Sequence, residues 1–297
     1  MTLMVEIEAL DAPLGARLTP AIDNLAFDEK SFDVIRHALW QYRVLVMSGG
    51  PYSDSVLVSF AEKFGQLVTL YDHGTTVPGY PGIVRVSNIE KQGVPIGLAG
   101  SQAIPWHHDH SYLPCPAKDS FLQAEELPVN QPQTHFVDMA AVLQSLPEST
   151  VKQISQLQAA HHIDERDTNN KSEVSADVTP QYEDLTNVLA QQRIASQSAI
   201  HPLVVRHPDS CLAALYVSPL ATHDIIGKSR QQSKQILEPL FERAFRPEYI
   251  YSHTWSQGDL VVWDTISTLH RRDAFSASSR RSMKQMSTQC RQPLLAA

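Results

Sequence analysis

Trp106-His107-His108-Asp109-His110 is the stretch on which the reading of this chain turns. It sets three histidines around one aspartate. A His-x-Asp triplet on a strand aims both side chains at the same face, because positions i and i+2 point the same way. The pattern occurs twice more, at His162-Ile163-Asp164 and His207-Pro208-Asp209. Those copies fall beside a polar run and in a proline turn, and both read as solvated loops. The first copy has a partner downstream: Gly258-Asp259-Leu260-Val261-Val262-Trp263-Asp264 leads to His270 and then to Arg280-Arg281.

Working outward, residues 29–43 place Phe32, Ile35 and Leu39 at helical spacing, and Val44-Leu45-Val46-Met47 reads as a buried strand. Ser53 can cap a second helix carrying Val56, Leu57, Phe60 and Phe64. Residues 71–105 are rich in glycine and proline around a strand-like Ile83-Val84-Arg85-Val86, and read as a loop-rich lid before the histidine cluster. Strands are expected at 120–124 and 134–137, then a helix from 139 capped by Asp138, and another opened by Pro147-Glu148. Residues 161–198 are too polar to fold alone and read as an insertion or second lid in one domain spanning 1–297, because strands resume at 201–205 and 215–217. Ser229 and Gln232 form a capping box before a last helix, and strands follow at 249–255 and 260–263. Many short strands with a few helices point to a mostly β barrel or sandwich core with flanking α-helices.

The 297 residues carry a net charge of -8, with 24 Lys and Arg scattered along the chain, which argues against nucleic acid or an anionic membrane as partner. A small-molecule substrate is the better expectation, and a homo-oligomer is compatible with the sequence. Three cysteines without C-x-x-C spacing suggest neither a disulfide framework nor a thiolate zinc site. With acids near the N-terminus and no long apolar run, a cytoplasmic location is the expectation.

Two histidines and one carboxylate on one face of a metal leave the opposite positions free for oxygen and substrate, the facial triad of non-haem Fe(II) oxygenases. His107, Asp109 and His270 are the candidates. Arg281, eleven residues beyond His270, offers a planar fork suited to a carboxylate.

The run Trp106-His107-x-Asp109, with Pro116-Ala117, Glu126-Leu127-Pro128, Thr134 and Val137-Asp138-Met139, resembles the TauD/TfdA family of Fe(II)/2-oxoglutarate-dependent dioxygenases. Leu269-His270-Arg271-Arg272-Asp273-Ala274-Phe275 with Arg280-Arg281 is similar to that family's distal histidine and arginine segment. The resemblance implies a double-stranded β-helix, a cupin-like jelly-roll. It also implies Fe(2+) held by His107, Asp109 and His270, with 2-oxoglutarate and O2 as co-substrates and Arg281 and Thr134 on the distal carboxylate of 2-oxoglutarate. Hydroxylation or desaturation is implied rather than halogenation, since halogenating relatives lack the carboxylate that Asp109 supplies.

Three positions depart from the family pattern. Gln131-Pro132-Gln133 stands where Gly-Gly usually precedes the threonine. His108 and His110 flank the motif and leave open a register in which one of them binds metal. Gln285 replaces a second arginine that often holds an acidic substrate group, for which Arg206, Arg271 or Lys118 could compensate. Candidate substrate contacts are Tyr71, His73, Asn88 and Gln285. A zinc-dependent hydrolase using the same cluster and a non-catalytic jelly-roll binding protein are the competing classes.

Overall fold

The computed structural model describes residues 5–24, 29–70, 74–162 and 198–297. Two sheets face each other. The larger has nine strands and runs, in order, Glu6–Ala9, Ala16–Thr19, Val44–Met47, Leu260–Asp264, Ala117–Glu126, Ser282–Gln289, Tyr80–Ser87 and Thr76–Val77, with Leu98–Ala99 added beside Tyr80–Ser87. The smaller has four: Ile250–His253, Thr134–Asp138, Thr268–Arg272 and Ile104–His107. Smaller sheets of two and three strands complete the described β structure.

Alternation along the strands explains the layering. Leu45, Met47, Leu260 and Val262 face outward and are covered by the helices Glu29–Tyr42 and Asp54–Glu62, packing with Phe32, Ile35, Leu57 and Phe60. Val44, Val46, Val261 and Trp263 face inward and meet Phe136 of the smaller sheet, with the Phe136 and Trp263 rings 5.4 Å apart. On the far side of the smaller sheet, Val137 and Leu269 pack with Val142, Leu237 and Leu240, so the helix Arg230–Ala244 closes that flank. Its start is the Ser229/Gln232 capping box read from the sequence, and Ser53 and Asp138 cap their helices as expected.

The segment 71–105 differs from the loop-rich expectation. Tyr80–Ser87 is a full strand of the larger sheet, paired with Ser282–Gln289, and three two-residue strands follow before the strand that ends at His107. Gly97 permits the chain to double back here: a Cβ there would stand 2.7 Å from the Arg85 carbonyl oxygen and 3.0 Å from the Ser87 nitrogen. The strand-like Ile83-Val84-Arg85-Val86 lies at the centre of Tyr80–Ser87, and the glycine and proline around it hid its full length. Most of 161–198 lies outside the described residues; its ends pair directly, His162 opposite Ser198. Among the described residues, no helix is long and apolar enough to cross a membrane.

Candidate metal centre and its cavity

His270 and His107 lie opposite each other on neighbouring strands of the smaller sheet, their ring centroids 4.0 Å apart. Asp109 reaches them from beyond the strand end. The strand stops at His107 and Asp109 stands in the following turn, so turn geometry and not strand alternation brings the two together. His110 holds that turn with a left-handed backbone, φ 54°. Asp109 Oδ1 lies 3.6 Å from His107 Nε2 and 3.7 Å from His270 Nε2. These separations are too long for hydrogen bonds and suit three ligands around one cation. Ligand atoms of the three residues all lie within 4.8 Å of one another, and neither His108 nor His110 joins the group.

The surroundings prepare each donor. His107 Nδ1 donates to the Pro105 carbonyl at 2.7 Å, which leaves Nε2 with a free lone pair toward the centre. Asp109 Oδ2 accepts from Ser120 Oγ at 2.6 Å and from Gln285 Nε2 at 3.3 Å, so Oδ1 is the oxygen turned to the histidines. Burial pushes the His270 ring down to about 3, reinforced by His107 and only partly offset by Asp109, so it stands neutral as a ligand must. Burial alone would raise the Asp109 carboxyl, yet the His270 and His107 rings hold it well below the usual carboxylate range. A buried carboxylate set between two imidazoles is a donor set that fits a divalent iron.

His108 is turned away from this role. It is buried, stacked on Tyr216 at 4.2 Å, and its Nδ1 donates to the Thr265 carbonyl at 2.8 Å. His110 Nδ1 pairs with the Tyr112 hydroxyl at 3.0 Å. His207, expected in a solvated loop, is fully buried, with Nε2 3.4 Å from Asp264 Oδ1. Its neighbour Asp209 is the half that faces solvent and meets Lys118 at 2.5 Å.

A cavity opens beside the three donors, walled by Val86, Leu98, Ile104, Leu122, Leu220 and Trp263. Thr134, Arg281 and Gln285 line it too. Arg281 is 1% exposed, and none of its three guanidinium nitrogens has a partner among the described residues. Burial lowers its pKa to about 10, still charged at neutral pH. Thr134 Oγ1 accepts from Trp255 Nε1 at 3.0 Å, which frees the hydroxyl proton for donation into the cavity. The Gln131-Pro132-Gln133 departure leaves Thr134 in place: Gln131 bonds the Trp255 carbonyl and Gln133 Nε2 donates to Thr254 Oγ1 at 2.8 Å.

Asn88 does not line the cavity. Its amide nitrogen donates to the Ser279 carbonyl at 2.6 Å and its Oδ1 accepts from the Arg281 backbone at 2.9 Å, so it shapes the loop that presents Arg281. Tyr71 and His73 lie outside the described residues. None of the three compensating cations faces the cavity: Arg206 is exposed on its strand, Arg271 lies 5.3 Å over the Trp106 ring, and Lys118 pairs with Asp209 and Asp119. The sequence reading passed over Arg272, which does line the cavity. Its signal was its place two residues after His270, on the same face of that strand.

Jelly-roll barrels with two histidines and a carboxylate aimed at one point form the class of non-haem iron oxygenases. The model of the taurine catabolism dioxygenase TauD, TfdA family matches residues 6–287, and the chain belongs to that family. Pentalenolactone F synthase of Streptomyces arenae is 30% identical, over 93% of this chain and 92% of its own. The alpha-ketoglutarate-dependent 2,4-dichlorophenoxyacetate dioxygenase of a Burkholderia species is 28% identical, over 90% of each chain. A taurine dioxygenase structure from Burkholderia xenovorans, 21% identical, superposes with a TM-score of 0.77 over 99% of this chain and 96% of its own, which shows the shared fold. The chain is therefore an Fe(II)- and 2-oxoglutarate-dependent dioxygenase acting on a small molecule, with a cupin-like jelly-roll core. The hydrolase and binding-protein alternatives are not favoured.

Proposed function

We propose that His107, Asp109 and His270 hold the iron and that Arg281 and Thr134 hold the distal carboxylate of 2-oxoglutarate, within one domain that hydroxylates or desaturates a small organic molecule. The observation that carries this is the Arg281 guanidinium, buried in the cavity wall with three nitrogens unpartnered. A buried charge without a counter-ion is costly, and a bidentate carboxylate satisfies it. Thr134 supports the same end of the co-substrate through its free hydroxyl proton.

Iron bound here would supply the oxygen chemistry, coupled to conversion of 2-oxoglutarate and O2 to succinate and carbon dioxide. The protein's own task is positioning. Pro105 fixes the His107 tautomer; Ser120 and Gln285 fix the Asp109 rotamer. The apolar wall of Val86, Leu122 and Trp263 keeps water from the reacting atoms. Asp109 occupies with its carboxylate the place a halide would need, which supports oxygenation or desaturation over halogenation. A screen of small acids followed by succinate release tests the assignment. Succinate should form only with iron, 2-oxoglutarate and a substrate together, and full turnover by Asp109→Ala would overturn it.

A further inference from the structure

The cavity holds a second buried arginine that the roles above leave unused. Arg272 ends the strand Thr268–Arg272, stands opposite Thr134, and sends its side chain to the same face as His270. It is 4% exposed and lines the cavity. Nη2 donates to the Ala99 carbonyl at 2.9 Å and to that of Gln102, while Nε and Nη1 are buried without a partner among the described residues. Ala99, the last residue of the short strand Leu98–Ala99, has a left-handed backbone, φ 62°, and the bond to Arg272 holds its carbonyl in place. One edge of the guanidinium is thus a strap. The rest is a donor set without an acceptor.

The charges define what is missing. Among the described residues, Asp109, Arg272 and Arg281 are the carboxylate and guanidinium side chains lining the cavity, beside four histidines. Loaded with Fe(II) and 2-oxoglutarate, the site would hold four positive charges against three negative ones. Arg281 and Thr134 already supply the donors that one carboxylate end can accept. Gln285, where relatives often carry a substrate-binding arginine, is engaged with Asp109. The remaining walls, from Leu98, Ile104 and Leu220 to Trp263, are apolar. We propose that Arg272 binds the carboxylate of the primary substrate, so that the enzyme oxidises a small, largely apolar monocarboxylic acid. The inference rests on the iron and 2-oxoglutarate assignment above.

The test uses the Fe(II) protein under anaerobic conditions and four aryloxy and alkyl acids: phenoxyacetate, 2,4-dichlorophenoxyacetate, (S)-2-phenoxypropionate and decanoate, each beside its neutral amide. Binding is read from the perturbation of the visible band that 2-oxoglutarate gives with the metal. A missing band in the unmodified protein would mean failure of the underlying assignment, separately from this inference. With the band present, at least one acid should bind about 10- to 100-fold more tightly than its amide, the size of a charge-assisted hydrogen bond. Arg272→Gln should abolish that preference while leaving 2-oxoglutarate affinity within about threefold, and Arg272→Lys should restore part of it by keeping the charge. Three results would overturn the proposal: no acid preferred by the unmodified protein; a preference untouched in Arg272→Gln, leaving the strap as the sole role; or a loss confined to 2-oxoglutarate affinity, making Arg272 a second clamp on the co-substrate.

Discussion

Ser120 Oγ donates to Asp109 Oδ2 at 2.6 Å, and this bond decides which carboxylate oxygen faces the two histidines. Ser120 comes from the strand Ala117–Glu126 of the larger sheet, while His107 and His270 sit on the smaller one, so the bond ties the metal centre across the barrel. Ser287, on the next strand, lies 3.0 Å from Ser120 and completes the chain.

Ser120→Ala should weaken iron binding by about 10- to 100-fold, the usual effect of removing a partner that orients a metal ligand. Titration of the apoprotein with Fe(II), read by succinate formation at limiting iron, checks this. Unchanged affinity would mean that Gln285 alone holds the Asp109 rotamer.

Arg281→Gln should raise the dissociation constant for 2-oxoglutarate by about 10- to 100-fold, through loss of a charge-assisted contact. Iron affinity should stay as it was, because Arg281 is no part of the donor group. Anaerobic titration with 2-oxoglutarate separates the two effects.

The candidate donors His107, Asp109 and His270 could be picked out because metal chemistry demands particular residue types, and the structure brings the three together by a different route from the strand alternation expected. Asp109 lies past the strand end, and a left-handed residue at His110 does what alternation was expected to do. Gln285 and Arg272 show where sequence reading stops. Gln285 meets Asp109 only because Ser282–Gln289 pairs with Ala117–Glu126, placing Gln285 opposite Leu122 in the wall. Arg272 was hidden in a charged run, Arg271-Arg272-Asp273, of which one member turns inward while Arg271 and Asp273 pair outside at 2.6 Å. Sheet order and register are long-range facts that local patterns do not carry.

Behind the His108 loop, His161 is fully buried beside His201, ring centroids 5.1 Å apart. Burial, and then the neighbouring His201, pushes its pKa well below 6.5. The folded protein keeps this ring neutral, whereas the unfolded chain takes up a proton below about 6.5. Its contribution to stability is therefore complete above that pH and is lost as the pH falls, at about 1.4 kcal/mol per pH unit for one group. Thermal melts from pH 7.5 to 5 should show His161→Gln with a flatter acid limb than the unmodified protein; parallel limbs would count against a neutral buried His161.

Turnover in chloride buffer should give a product without chlorine, because on the proposed assignment the Asp109 carboxylate would fill the ligand position that halide requires. Mass spectrometry of the product decides the matter through the isotope pattern.

The central claim is that His107, Asp109 and His270 hold one iron to which 2-oxoglutarate binds beside Arg281. Anaerobic addition of Fe(II) and 2-oxoglutarate tests it most directly. A weak visible charge-transfer band near about 500 nm, typical of iron chelated by a keto acid at a facial triad, is predicted for the unmodified protein and should vanish in Asp109→Ala. No band in the unmodified protein, or an undiminished one in Asp109→Ala, would contradict the account.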